Sequence, residues 1–502
     1  MTYFSSIKIY NNNEILPIEM ASLKRYQEYS SKKDLLILQE LAKEFKGKRI
    51  IFINSTPQGG GVALMRQALI RLYKLIDVDA HWYVLRPKPN VFNITKKKFH
   101  NVLQSVCPAD TILNDSEIKI YNEWIYKNAK SLRRVFEEAN VVVIDDPQPS
   151  GLIPYIKKFN PKAKIIYRSH IQIESFLANK KGTSQNRTWN FIWNNIKLAD
   201  CFVFHPIKEF VPENVPQEKV VFMPATTDPL DGLNRKMNHE EITYYLKIFN
   251  EIVVNQERQT PLNLNRSHII QIARFDPSKG IPDVIESYRK LRERLNGFLQ
   301  IPQLVICGNS SIDDPEGKLI YDETIKLLKK REYRILRDDI KIVRLPHIDD
   351  VLNALLRKSE VALQLSTKEG FEVKVTEALM KGKPVIAYRS GGIPLQIRNR
   401  VNGFLVEKGN TDEVADHLYN LLTDKSLYKK MSDAAIEYAQ KDFLTVPNAI
   451  SWLYLSNKLL SDGKIEGNYL SVKEMAEKEY INNTKVWKKP KYLFSFLGLL
   501  KR

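Results

Sequence analysis

The stretch VALQLSTKEGFEVKVTEALMKGKPVIAYRSGG (residues 361–392) decides how the chain is read. It passes from an apolar segment through three glutamates into a helical pattern, returns to an apolar segment at PVIAY, and stops at a glycine pair. Strand, helix and strand in that order make a βαβ unit, and short apolar runs without polar alternation mark strands covered on both faces. In such folds ligands lie beyond the carboxyl ends of the strands. Glu369, Glu372 and Glu377 fall there. By spacing alone they say little, because an acidic first turn is favoured by the helix dipole in any protein.

The same alternation extends outward in two series. The first includes RIIFINS from Arg49, HWYVL from His81, NVVVID from Asn140, KIIYRSH from Lys164, CFVFH from Cys201 and VVFMPA from Val220. The second includes HIIQIARF from His268, QLVICG from Gln303, IKIVRL from Ile340, VALQLS, PVIAY and NGFLVE from Asn402. Two series predict an α/β protein of two doubly wound Rossmann-like domains with parallel sheets, facing across a cleft. The expected division is a mostly helical segment 1–47, a first domain 48–230, a linker with an insertion 231–266, and a second domain 267–440. A helix 441–465 then returns to the first domain, and 466–502 is a basic amphipathic tail.

A chain of 502 residues is too long for one core, and 43% hydrophobic residues can fill two. Cys107, Cys201 and Cys307 stand far apart and suit neither a disulfide framework nor a zinc site, so a reducing compartment and buried thiols are expected. There is no secretory pattern at the start and no apolar run of membrane-spanning length, which predicts a cytoplasmic protein. A net charge of +19 admits anionic partners, but no nucleic-acid-binding motif accompanies it, and no nucleic acid partner is expected. Basic groups such as Lys96 to Lys98 and Lys488 to Lys491 read as solvated surface. The tail from Trp487 mixes lysines with Leu493, Phe494 and Phe496 and suits either a membrane surface or, the favoured reading, its own domain. A homodimer is left open.

Chemistry-bearing residues gather at strand ends. In NSTPQGGGVALM (from Asn54), Gly59, Gly60 and Gly61 open a helix whose N–H groups and dipole suit a phosphate or sugar oxygen, though a plain tight turn reads the same way. The pattern matches neither GxGxxG nor the Walker A loop. In ARFDPSKGI, Arg274 and Lys279 can clamp a phosphate from two sides or stand as ordinary surface cations. Asp146, Gln148, Arg168 and His170 end two strands of the first series and suit sugar hydroxyls; His170 reads equally as a satisfied core histidine. Asp228 serves the same wall or simply caps its turn. The DVD at Asp77 is a surface turn, and no residue set has metal-ligand spacing, so no metal and no cofactor are expected.

Taken together, the Gly-rich first turn, RFDPSKG, E-x7-E, GKPVIA and SGG resemble retaining glycosyltransferases of the two-Rossmann (GT-B) type, family four, over residues 48–460. GGGVALM, DDPQPSGLI, YRSHIQ, MPATTDPL and EGFEVKV resemble its trehalose branch, which holds trehalose glycosyltransferring synthases and fungal trehalose phosphorylases. The resemblance implies a catalytic cleft in which Arg274 and Lys279 hold the leaving phosphate of glucose 1-phosphate or a nucleotide-glucose, helped by Gly60-Gly61 and Gly391-Gly392. It places Glu369 near the transferred glucose, Glu377 on a nucleotide ribose, and His170, Asp146 and Gln148 on the sugar side. The implied partners are trehalose, glucose and one of those donors. The implied activity is trehalose phosphorolysis, with nucleotide-glucose-dependent trehalose synthesis as the alternative; a non-catalytic sugar-phosphate or membrane-surface binder is the reading from another class. Glu372 departs from the small residue that many relatives carry, as do Asp145 and Gln172 from the synthases' His and Asp; these departures lean towards phosphorylase and a monophosphate.

Overall fold

The computed structural model describes residues 7–10, 12–18, 21–58, 60–298, 300–309, 316–439 and 441–483. The basic tail from Trp487, and Gly59 of the glycine run, lie outside the described residues.

The chain opens with a hairpin, β1 (Ile7–Ile9) and β2 (Ile15–Pro17), paired antiparallel. Its turn residue Asn13 adopts the left-handed conformation (φ 65) that asparagine tolerates, and Glu14 bridges to Tyr83 at the edge of the first sheet. The segment expected as mostly helical thus opens with this hairpin, and its helices are Leu23–Tyr26 and Lys32–Phe45. The short alternation at Ile7, Ile9 and Ile15 is too brief to read as strands without the sheet edge it leans on.

The first domain is built on β3 (Arg49–Asn54), β4 (Asp79–Val84), β5 (Val141–Asp145), β6 (Lys164–Arg168), β7 (Cys201–Phe204) and β8 (Val220–Phe222). The second uses β9 (His268–Ile272), β10 (Gln303–Asn309), β11 (Ile340–Leu345), β12 (Val361–Gln364), β13 (Val385–Tyr388) and β14 (Gly403–Val406). A last strand, β15 (Leu470–Ser471), returns to β8. Both sheets are parallel throughout, in the orders β15-β8-β7-β6-β5-β3-β4 and β11-β10-β9-β12-β13-β14. The second order is the doubly wound pattern in which strand order reverses beside the first strand. That reversal lies between β9 and β12, and the equivalent crevice of the first sheet lies between β3 and β5.

Alternate strand residues explain the absence of polar alternation. Ile50 and Phe52 enter one apolar cluster while Ile51 and Ile53 enter another on the opposite face; Ile270 and Ile269 divide the second sheet in the same way. The stretch expected as linker and insertion carries helix His239–Asn255, whose Leu246, Phe249, Ile252 and Val253 belong to the second core. Helix Thr445–Ser461 is buried nearly all round, and its Val446, Ile450, Trp452, Leu453 and Leu455 belong to the first core. Cys201 and Cys307 are buried and Cys107 is half-buried. No described helix is long and apolar enough to cross a membrane.

Candidate active site

The two crevices open onto one cavity of ≈ 290 Å³ between the domains, at the small end of the roughly 300–1,000 Å³ usual for small-molecule sites. Its first-domain wall carries Gly60, Gly61, Asp145, Asp146, Gln148 and His170, and its second-domain wall Arg274, Lys279, Glu369 and Glu372.

On the first wall, helix Gly61–Leu75 starts at the end of β3 with Gly60 as its N-cap. A Cβ added at Gly60 or Gly61 would meet no protein atom within 4 Å, so the space beside the two glycines belongs to the cavity. The first-turn N–H groups of a helix have no intrahelical acceptor, which makes this end a ready anion or oxygen site.

Behind it, Asp145 ends β5 and takes two hydrogen bonds from Arg66, at 2.7 and 2.6 Å, and one from His170 Nε2 at 2.8 Å. Burial pushes the Asp145 carboxyl up, but Arg66 and His170 outweigh it and hold it at about 2. His170, pulled down to about 4 by burial and by Arg168 against the opposing pull of Asp145, is neutral near pH 7. Its Nε2 therefore carries the proton given to Asp145, and Nδ1 is an acceptor. Among the described residues nothing donates to His170 Nδ1, nor to Gln148 Oε1. Buried acceptors left without donors are costly; both atoms are closed to solvent, in residues that line the cavity. Asp146 sits at φ 68 with its carboxylate taking the His170 backbone N–H at 2.6 Å; burial raises its pKa to about 7.

On the second wall, turn Pro277–Lys279 follows β9, and Gly280 (φ 58) lets it fold tightly: a Cβ there would stand 2.0 Å from the Leu365 carbonyl oxygen. The turn presents Lys279, whose ammonium donates to both Glu369 and Glu372, the latter at 2.6 Å. Glu372 holds the left-handed conformation (φ 65), where a residue with a Cβ is strained. Burial pushes both carboxyls up. Lys279 overcomes this at Glu372, which is lowered, but not at Glu369, which the neighbouring carboxylate helps keep raised. Glu369 N–H donates across the cleft to Gln172 Oε1 at 3.0 Å.

Several expected residues stand elsewhere. Arg168 is buried behind the wall, giving a hydrogen bond to His205 Nδ1 at 3.1 Å. Asp228 is tied to Tyr26 at 2.7 Å and Arg71 at 2.8 Å and caps its own turn through Leu230 N–H at 2.7 Å. Its place is therefore the turn and not the sugar wall. Glu377 is 2% exposed, bonded to Thr227 at 2.9 Å and Lys374 at 2.7 Å, outside the cavity lining. Gly391 (φ 49) and Gly392 support the Glu369 loop from behind: a Cβ on Gly391 would sit 1.7 Å from the Glu369 oxygen, and Gly392 N–H is given to Gly370 O at 3.0 Å. Conversely, Lys96, read as solvated surface, is 5% exposed and lines the cavity. A charge run carries no signal of which lysine turns inward. Lys374, Asp276, His205 and Gly370 also line the cavity, and all four lie inside stretches quoted above without a signal that marks them individually.

Comparison with known proteins supports the fold and names the family. Residues 52–212 match the model described as trehalose synthase, N-terminal domain, and residues 254–441 that of glycosyl transferases group 1. The chain is 33% identical over 440 residues to a trehalose synthase of Pyrococcus horikoshii, covering 87% of this chain and 96% of the relative. The chain belongs to the trehalose synthase and phosphorylase family of GT-B glycosyltransferases. Within this family it is 46% identical over 456 residues to a trehalose phosphorylase of Pleurotus pulmonarius and 45% over 436 to one of Grifola frondosa, covering 88% and 84% of this chain. It spans only 61% and 59% of those relatives' length. Among solved structures, the trehalose-6-phosphate synthase OtsA superposes with a TM-score of 0.62 at 13% identity over 83% of this chain and 98% of that one. Sucrose-phosphate synthase from Thermosynechococcus elongatus gives 0.59 at 15% over 83% and 100%. At such identities the likeness is one of GT-B fold.

Proposed function

We propose that the protein is a retaining trehalose phosphorylase. Phosphate bound at Arg274 and Lys279 forms a bond to C1 of one glucosyl unit as the glycosidic C1–O bond breaks, and the phosphate proton passes to the leaving glucose oxygen. The products are α-glucose 1-phosphate and glucose, and the reverse reaction uses the same groups. Entering and leaving oxygens share one face of the sugar, and the fixed cations and helix N–H groups stabilise the charge that develops between them.

The observation that carries this reading is one cavity that sets Asp146, Gln148 and His170 on one wall opposite Arg274 and Lys279 on the other. Two features favour phosphate over a nucleotide-glucose. Glu377, the residue expected on a ribose, is occupied by Lys374 and Thr227. Glu372 sets a second carboxylate against Lys279, which suits one phosphate better than two. The higher identity to phosphorylases than to synthases points the same way.

Incubation with trehalose and phosphate is expected to yield α-glucose 1-phosphate, detected by enzymatic coupling or mass spectrometry. UDP-, ADP- or GDP-glucose with glucose is expected to yield no trehalose; trehalose from any of them would replace this reading with the synthase one. Lys279→Ala and Glu369→Gln should each lower turnover by roughly 10²–10³-fold with an unchanged circular dichroism spectrum. Near-normal rates in both would remove the cavity from the reaction.

A further inference from the structure

The segment that follows β6 alternates. Ile171 and Ile173 are buried in the first domain's core, while Gln172 and Glu174 reach across to the second domain. There the loop after β12 runs antiparallel to this segment. Lys368 pairs with Glu174, Glu369 N–H donates to Gln172 Oε1 at 3.0 Å, and Gly370 abuts the His170 carbonyl oxygen. Gln172 Nε2 donates to Glu174 Oε1 at 2.7 Å, and Glu174 is itself fixed by its backbone N–H on the Leu103 oxygen at 2.9 Å. Gln172 thus turns an acceptor to an N–H and a donor to a carboxylate, a pair of demands that an amide meets and neither an ionised carboxylate nor an ammonium can.

On its own side of the cleft, Glu369 is closely confined. Its carbonyl oxygen is backed by Gly391, where a Cβ would stand 1.7 Å away, and its carboxylate takes the Gly370 N–H at 3.1 Å and the Lys279 ammonium. Gln172 takes the Glu369 backbone N–H from the other domain and stands outside the cavity lining, so it acts on the cavity through Glu369.

We propose that Gln172 is a positioning residue for Glu369: its amide takes the Glu369 N–H across the domain boundary and so sets how the Glu369 carboxylate meets the transferred glucose. The bond spans the cleft, so it exists only with the domains together, and Glu369 reaches its working place as the cleft closes. A hydrogen bond of this kind adds little net stability. Its effect lies in orientation, where a misplacement of about 1 Å costs on the order of 10²-fold in rate. The inference rests on the proposed glucosyl transfer, with Glu369 beside the glucose, but not on which donor is used.

The test is steady-state phosphorolysis per folded molecule, with Tm measured alongside. Gln172→Met keeps the side-chain length and loses both hydrogen bonds. It should lower kcat and kcat/KM together by about 10–10²-fold, with Tm within about 3 °C of wild type. Gln172→Glu keeps the acceptor but sets a second carboxylate against Glu174, and should be as slow. In the exchange variant, Gln172→Glu with Glu174→Gln, the amide at position 174 can donate to the carboxylate at position 172, which still accepts the Glu369 N–H. Its kcat should return to within about threefold of wild type. A merely structural role would lower Tm and the folded fraction and leave kcat per folded molecule unchanged. That result, or an exchange variant as slow as Gln172→Met, overturns the proposal. A wild type that makes trehalose from a nucleotide-glucose and no glucose 1-phosphate overturns the phosphorylase reading alone, and the same variants are then compared in synthesis. A wild type inert in both reactions overturns both.

Discussion

At the residue scale, a strand end announces that a side chain is near the crevice but not what will reach it first. Lys279, Glu369, His170, Asp146 and Gln148 could be singled out from sequence and do line the cavity. Asp228 and Glu377 came from the same reasoning and are taken by Arg71 and Tyr26, and by Lys374 and Thr227. Those partners lie up to 202 residues away, beyond any local pattern. Asp146 offers a test at this scale. Its folded pKa, about 7, is raised above that of the unfolded chain, mainly by burial. Folding then favours the protonated form, and the associated stability is fully present below the unfolded value near pH 4 and is lost as the pH rises through about 7. Asparagine tolerates the left-handed backbone and can still accept the His170 N–H through its amide oxygen. Asp146→Asn should therefore have a Tm close to wild type at pH 5 and several degrees higher at pH 8, followed by calorimetry across that range. A constant difference would show that Asp146 does not keep its proton.

At the element scale, the strands and their parallel order were legible because period-two burial on two faces leaves continuous apolar runs. Helix Thr445–Ser461 was legible as a helix, but its consequence for the site was not. Trp452 lies edge-on to Phe52 with ring centroids 5.6 Å apart, and its ring meets the Arg66 guanidinium at 4.8 Å. Arg66 in turn holds Asp145, and Asp145 holds the His170 tautomer. A helix after the second domain thus fixes an imidazole of the first. Trp452→Ala should lower stability by about 3–5 kcal/mol, read from the denaturant midpoint, and should lower activity further than the surviving folded fraction explains. Trp452→Phe should recover much of both.

At the scale of the whole molecule, the decisive contacts run between the domains. Gly370, in the loop after β12, abuts the first domain so closely that a Cβ would stand 2.0 Å from the His170 carbonyl oxygen. Phe371 beside it stacks on His205 at 5.4 Å, and Lys368 pairs with Glu174 across the cleft. Gly370→Ala should hold the cleft ajar, with each sheet intact, and lower kcat/KM by roughly 10²-fold, the order expected for a misplacement of about 1 Å. Small-angle scattering should show a larger radius of gyration; wild-type turnover and dimensions together would mean that this closure is dispensable. By itself the sequence determined the two βαβ series, their parallel sheets and the motifs at the strand ends, because burial periodicity and turn chemistry act over a few neighbouring residues. Only the tertiary structure decided which motif residues face the cavity, that Lys96 turns inward to Asp276, and that Glu377 is already occupied. Those outcomes depend on charge partners brought together across two domains, and no spacing along the chain encodes them.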